Sequence, residues 1–251
     1  MKIHKMLSKY NQQSRNGSSI KYIVIHYVGA ISSARNNCIY FRGGYRGASA
    51  HFFVDKKIYQ SIPLNMAAWH CGGGLQDTGN AYVEGNRGAT LHGVCTNNNS
   101  IGIELCCKKK NGRIVPTEEA INTAIPLVKK LMKKYGIPAS HVIRHFDVTG
   151  KCCPNGYISR TAWKMLHERL TARRLPKWPT KNLKKGSSGV QVMSLQKCLN
   201  TIINAGLDVD GDFGKKTAAA VKKFKKKKMG SKKPTSLVRS KTRKKIKELM
   251  K

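Results

Sequence analysis

Three side chains far apart in the sequence share one kind of chemistry. His26 lies inside the apolar run Ile23-Val24-Ile25-His26-Tyr27-Val28, and His145 and Cys153 fall in the segment from Arg144 to Pro154. Two imidazoles and one thiolate suit a tetrahedral zinc ion whose fourth position stays open for water or substrate. Lys151 stands two residues before Cys153, a cation where a developing oxyanion would need one. His26 alone reads more readily as a satisfied core histidine than as a ligand. It is the His145-to-Cys153 loop, short enough to fold back on one metal, that favours the ligand reading. Cys152 is the alternative thiolate.

Glu104 sits in the apolar stretch Ser100-Ile101-Gly102-Ile103-Glu104-Leu105. A carboxylate buried there without a partner costs several kcal/mol. Either it pairs with a base such as Arg144, or it faces a cleft as a general base. Asp147 has two readings as well, as a group orienting a metal ligand or as a local turn acceptor. Trp69, His70 and His51 are candidates for contacts with substrate. Asp208, Asp210 and Asp212 imitate the start of a calcium loop, but Phe213 stands where that loop needs Gly and no Glu closes it, so calcium is rejected.

These residues need elements to carry them. Residues 20–28 read as a buried strand, and residues 48–60 as two strands around a turn at Asp55-Lys56-Lys57. Residues 100–106 read as a further strand, and residues 71–99, rich in Gly and Asn, as a long loop. Thr117 caps a helix with Glu118 and Glu119 in its first turn, and Ala120, Ala124, Leu127, Val128 and Leu131 recur at helical spacing. Gly136 and Pro138 end it. Pro126 falls inside and predicts a kink or a cost of about 3 kcal/mol. Val142-Ile143 is a short strand leading to His145, and Ser159 opens a last helix through Trp163, Leu166 and Leu170. Alternating strands and helices predict an α/β domain, a central mixed β-sheet flanked by helices.

The expected organisation is a first domain over residues 1–170, a stiff linker over 171–181 with Pro176, Trp178 and Pro179, and a small C-terminal three-helix domain over 182–251. A faint echo runs through the last part: Phe213 to Thr217 and Val238 to Thr242 have the same spacing.

The chain holds 48 Lys and Arg against 12 Asp and Glu in 251 residues. Residues 1–170 carry 24 basic and 8 acidic residues, and residues 171–251 carry 24 and 4, so the charge is densest in the tail. Such a field favours polyanions: nucleic acid, anionic lipid or the anionic polymers of bacterial envelopes. No run approaches the roughly 18 apolar residues of a membrane span, and the basic start lacks the apolar core of a secretory leader. Synthesis in the cytoplasm is expected. The eight cysteines read mainly as small buried hydrophobes, reduced at synthesis.

The motifs Ile23-Val24-Ile25-His26-Tyr27, Ala48-Ser49-Ala50-His51-Phe52, Ala68-Trp69-His70, Asn99 through Glu104, and Arg144-His145-Phe146-Asp147 through Cys153-Pro154 together resemble the type 2 family of zinc N-acetylmuramoyl-L-alanine amidases, relatives of the peptidoglycan recognition proteins. The resemblance covers residues 15–170. It implies zinc on His26, His145 and Cys153, with Glu104 activating water and Lys151 steadying the oxyanion. The bond cut would join the lactyl group of N-acetylmuramic acid to L-alanine of the stem peptide. Ala50 stands where some members carry a catalytic Tyr. The tail from Leu183 is similar to the three-helix peptidoglycan-binding module of wall hydrolases, with Phe224-Lys225 where many have Phe-Gln. Together the two parts look like a bacteriophage endolysin acting on bacterial peptidoglycan at the cell wall.

Two rival readings remain. A non-catalytic wall-recognition protein would not need Cys153. A nucleic-acid-binding zinc protein would explain the charge but not Glu104 or Lys151, and finger-type Cys/His spacing is absent.

Overall fold

The computed structural model describes residues 1–72, 74–75, 82–83, 86–171 and 176–250. The chain divides into two compact units, Met1–Thr171 and Ala172–Lys251.

The first unit is mixed α/β. Its six-stranded sheet has the order Ile3–Lys5, Ile58–Gln60, Phe52–Val54, Ser100–Leu105, Tyr22–Tyr27, Val142–Arg144. Every neighbouring pair is parallel except Phe52–Val54 with Ile58–Gln60, the antiparallel pair around the Asp55 turn. Strand alternation then sorts the side chains. Ile23, Ile25, Ile101, Ile103 and Leu105 face one way and pack with Ala120, Ile121, Ala124, Leu127, Val128 and Leu131, and with Leu166 and Leu170. Those partners belong to helices α2 (Glu118–Tyr135) and α4 (Arg160–Thr171). Each fully buried aliphatic side chain there contributes about 1.5–3 kcal/mol. Their even-numbered neighbours, His26 and Glu104 among them, lie on the opposite face.

On that other face, α1 (Ala34–Arg42) sets Ala34 and Cys38 against Phe53 and Tyr59. A short helix, α3 (His145–Thr149), follows strand Val142–Arg144 directly.

Helix α2 starts as its sequence predicts: Thr117 Oγ1 accepts from the Ala120 amide at 3.0 Å, and Gly136 closes it in the left-handed region at φ 65. It runs unbroken through Pro126. Pro126 is on the exposed side, as is Asn122 one turn before it. The Asn122 carbonyl that loses its helical donor therefore belongs to a residue open to water. Arg169 of α4 bridges to Glu118 of α2 at 2.5 Å.

The loop expected over 71–99 lies in part outside the described residues. Within the rest, Tyr82–Val83 pairs antiparallel with Asn86–Arg87. The expected linker is likewise outside them at 172–175. Trp178, placed in that linker by the sequence reading, packs against the core of the second unit.

The described residues of the second unit form the helices α5 (Val190–Ile203), α6 (Lys215–Met229) and α7 (Ser240–Leu249). Val192, Leu195, Leu199, Phe213, Val221, Phe224, Val238 and Ile246 form its core. The sequence echo has a structural counterpart. Phe213 and Val238 are both fully buried, and Thr217 and Thr242 are buried behind them. Ser188 bridges to Asp212 and Leu183 to Val238, each just ahead of a helix.

Candidate active site

Strand register builds the site. His26 is paired directly with Glu104, and Arg144 with Ile25. His145, one residue beyond Arg144, therefore arrives level with His26. All three sit at the carboxyl ends of adjacent parallel strands, the end of such a sheet where ligands usually bind. Gly150, in the left-handed region at φ 83, turns the chain after α3 and returns Lys151 and Cys153. The Phe146 amide donates to the Cys153 carbonyl at 2.9 Å and closes this loop.

The donor atoms of His26, His145 and Cys153 all lie within 4.8 Å of one another. The two Nδ1 atoms are 3.1 Å apart, and Cys153 Sγ is 3.7 Å from His26 Nδ1. A tetrahedral ion with bonds of zinc length would place its nitrogens about 3.3 Å apart and its sulfur about 3.6 Å from each nitrogen. The cluster fits such an ion. Cys152 does not join it, and all eight cysteines are free thiols.

Electrostatics suit a cation. Burial holds His26 neutral, well below the usual imidazole range, and His145, His70 and Lys151 add to the effect. Burial, Lys151 and His70 bring His145 down to about 3. Burial pushes the Cys153 thiol well above its ordinary range, and Glu104 adds to this. Both imidazoles thus offer lone pairs without giving up a proton, and only the thiol must lose one.

Glu104 faces the same cleft, a cavity of about 210 Å³ that also reaches Lys151, Trp69 and Tyr27. Its Oε2 is buried without a hydrogen-bond partner. Burial pushes its carboxyl up to about 8, against the pull of Lys151. The ion pair with Arg144 does not form. Arg144 instead binds Asp147 at 2.6 Å, and Asp147 Oδ2 accepts from the Arg144 amide at 2.8 Å. Of the two readings for Asp147, the local one holds: it caps α3 and anchors a buried guanidinium.

The remaining candidates separate. Trp69 is half-buried at the cleft, with its Nε1–H donating to Gln13 at 2.9 Å and Tyr45 edge-on to its ring. His51 does not reach the cleft, which corrects the expected substrate contact. It is fully buried, with Nδ1 accepting from the Gly102 amide and Nε2 facing the Met66 carbonyl.

His70 touches the cleft, but its ring atoms are engaged behind the cluster. Ser100 Oγ donates to the Thr96 carbonyl at 2.5 Å, so it accepts from His70 Nε2 at 3.1 Å. His70 Nδ1 is then left to accept from His26 Nε2 at 3.0 Å. This chain turns His26 Nδ1 toward His145 and Cys153. The Asn97 side chain receives the His70 and Cys71 amides. Gly102 makes room, since a Cβ there would lie 2.6 Å from the His70 ring. Sequence reading missed Ser100 and Gly102 in this role. Their signal is a small or polar residue at every second place of an apolar strand, beside Glu104. Tyr27 was also missed, because strand alternation would turn it away from His26.

Residues 16–156 match the N-acetylmuramoyl-L-alanine amidase family. The chain belongs to that family. It is 34% identical to the N-acetylmuramoyl-L-alanine amidase CwlL of Bacillus licheniformis, over 90% of this chain and 67% of that one. It is 28% identical to CwlA of Bacillus subtilis strain 168, over 86% of each. Among solved structures, it resembles the catalytic domain of PlyG with a TM-score of 0.51 and 29% identity, covering 68% of this chain and 93% of that one. PlyL matches with a TM-score of 0.50 and 28% identity, covering 69% and 99%. No helix among the described residues is long and apolar enough to cross a membrane.

Proposed function

We propose that this amidase-family chain is a zinc-dependent peptidoglycan hydrolase. It cuts the amide between the lactyl group of N-acetylmuramic acid and L-alanine of the stem peptide, and it acts at the bacterial cell wall. The observation that carries this reading is the convergence of His26, His145 and Cys153 beside an unpartnered Glu104 in one cleft.

His26, His145 and Cys153 would hold the ion, and a zinc ion bound there supplies a Lewis acid for the amide carbonyl and for water. Glu104 takes the proton of the attacking water and returns it to the leaving L-alanine amine. A carboxyl whose affinity for protons is raised suits both halves of that shuttle. Lys151 faces the oxygen on which negative charge grows. Trp69 lines the entrance as an apolar wall. The second unit keeps the enzyme on its polymer and raises the local concentration of bonds to cut.

The test digests purified sacculi with the full chain and measures newly exposed N-terminal L-alanine. Glu104→Gln should abolish its release while zinc content stays stoichiometric. Cys153→Ser should lose both. Undiminished release by Glu104→Gln, or reducing sugar ends in place of alanine amines, overturns the reading.

A further inference from the structure

The second unit contains a separate groove of about 360 Å³ between the segment Trp178-Pro179-Thr180 and helix α7, rimmed by Arg243, Lys244 and Lys247. Trp178 is half-buried, with Lys247 Nζ 5.3 Å and Lys177 Nζ 5.5 Å from its ring centroid. Among the described residues, no carboxylate lines the groove. Of the four carboxylates in residues 172–251, only Glu248 reaches a lysine among the described residues, Lys245 at 3.4 Å.

We propose that this groove binds an anionic polyol-phosphate chain, a polymer with one phosphodiester per repeat. Four features favour that occupant. The rim is cationic and the ring is already flanked by ammonium groups, so the site selects negative charge before it selects shape. The cations are mostly lysines. The one guanidinium, Arg243, already donates an N–H to the Asn182 side chain, whereas the lysines are compact point charges that meet successive phosphates without a fixed geometry. The same unit carries further exposed lysines on α6, Lys222, Lys223 and Lys226 to Lys228, and this repetition suits a repeating charge better than a single one. Finally, Trp178 is the one aromatic ring among the described residues of the unit that reaches the surface, since Phe213 and Phe224 are fully buried, and successive bases of a single strand would lack a row of rings to stack on. Thr180 is exposed at the rim as a partner for a polyol hydroxyl.

The choice of polymer rests on the proposed site of action at a wall; the binding does not depend on hydrolysis. The test measures binding of the full chain to immobilised poly(glycerol phosphate) at 0.15 M salt. Poly-glutamate and a DNA duplex of matched charge run alongside. The double variant Lys244→Gln/Lys247→Gln should weaken poly(glycerol phosphate) binding roughly tenfold, in line with the loss of two phosphate contacts. The double variant Lys108→Gln/Lys109→Gln, which removes the same charge from exposed positions of the first unit, should change it less than twofold. Poly-glutamate and DNA should bind more weakly and should not distinguish the two variants. Equal losses in both variants, equal or tighter binding of DNA or poly-glutamate with the same dependence on Lys244 and Lys247, or no binding at this salt, each overturn the proposal. The polymer contains no amide, so failure here leaves the hydrolytic reading untouched, and failure of hydrolysis leaves this one standing.

Discussion

Glu104 and His26 are register partners on neighbouring parallel strands. One carboxylic acid and one imidazole therefore share a sheet face, and neither can leave it without a slip of the whole strand. Burial raises the Glu104 carboxyl to about 8 in the metal-free protein, whereas an unfolded glutamate titrates near 4.3. Between those values the folded chain holds a proton that the unfolded chain has released. The stabilisation Glu104 gives is thus complete at acid pH and is lost as pH rises toward 8. The buried neutral histidines His26 and His145 act equally in both proteins, so the melting temperature of metal-free Glu104→Gln should rise relative to the parent's as pH climbs across that window. Parallel melting curves for the two from pH 5 to pH 8 would refute this.

Gly102 and His70 make a second prediction. A methyl group at 102 would lie 2.6 Å from the His70 ring, which is held by Ser100 on one side and His26 on the other. The ring must move, and His26 loses the acceptor that sets its tautomer. Partners of this kind are typically worth 10–100-fold in metal affinity. Gly102→Ala should weaken zinc binding by about that factor in a chelator competition, with far-ultraviolet dichroism unchanged. Unaltered affinity would make the His70 chain irrelevant to the metal.

The proton count of metal uptake is also set by the site. His26 and His145 are already neutral at pH 6–8, so they release nothing on binding. Cys153 is protonated and must give up its proton, and Glu104 gives up a second if the ion's charge ionises it. Zinc affinity should therefore rise by one to two decades per pH unit between pH 6 and pH 8. Cys153→Ser should remove one of them. A flat profile would exclude Cys153 as a ligand.

The sequence shows more of this fold than of its wiring. Strand Tyr22–Tyr27, helix α2 and the turn at Asp55 are legible because a short apolar run, Thr117 with Glu118 and Glu119, and local turn chemistry act over a few residues. His26, His145 and Cys153 stand out because each is a donor in surroundings that do not call for one. The partner choice of Glu104 was not legible: it depends on Arg144 being taken by Asp147, a contact made only once α3 forms. His51 and His70 look alike as sequence, each beside an apolar strand. Register alone sends one into the core and the other behind His26. Trp178 reads as linker because prolines flank it, yet its ring completes a core assembled from helices further along the chain.

Gln196 concentrates the polar contacts of the second unit, and its removal gives the last prediction. It is almost fully buried in α5. Its Nε2 donates to Asp210 at 2.7 Å, to the Asp212 carbonyl at 3.0 Å and to Thr217 at 3.2 Å, and its Oε1 accepts from the Gly211 amide at 2.9 Å. One side chain thus holds the turn before α6, and Asp210 is engaged by protein donors. Gln196→Leu fits by volume but leaves the Gly211 amide without its acceptor and removes donors from three oxygens. Each group left buried and unpaired costs roughly 1–3 kcal/mol. A calorimetric scan should show the transition of the second unit falling while that of the first stays in place. A second-unit transition as stable as the parent's would mean that water or a shifted turn replaces the amide, and that Gln196 is not what holds this module together.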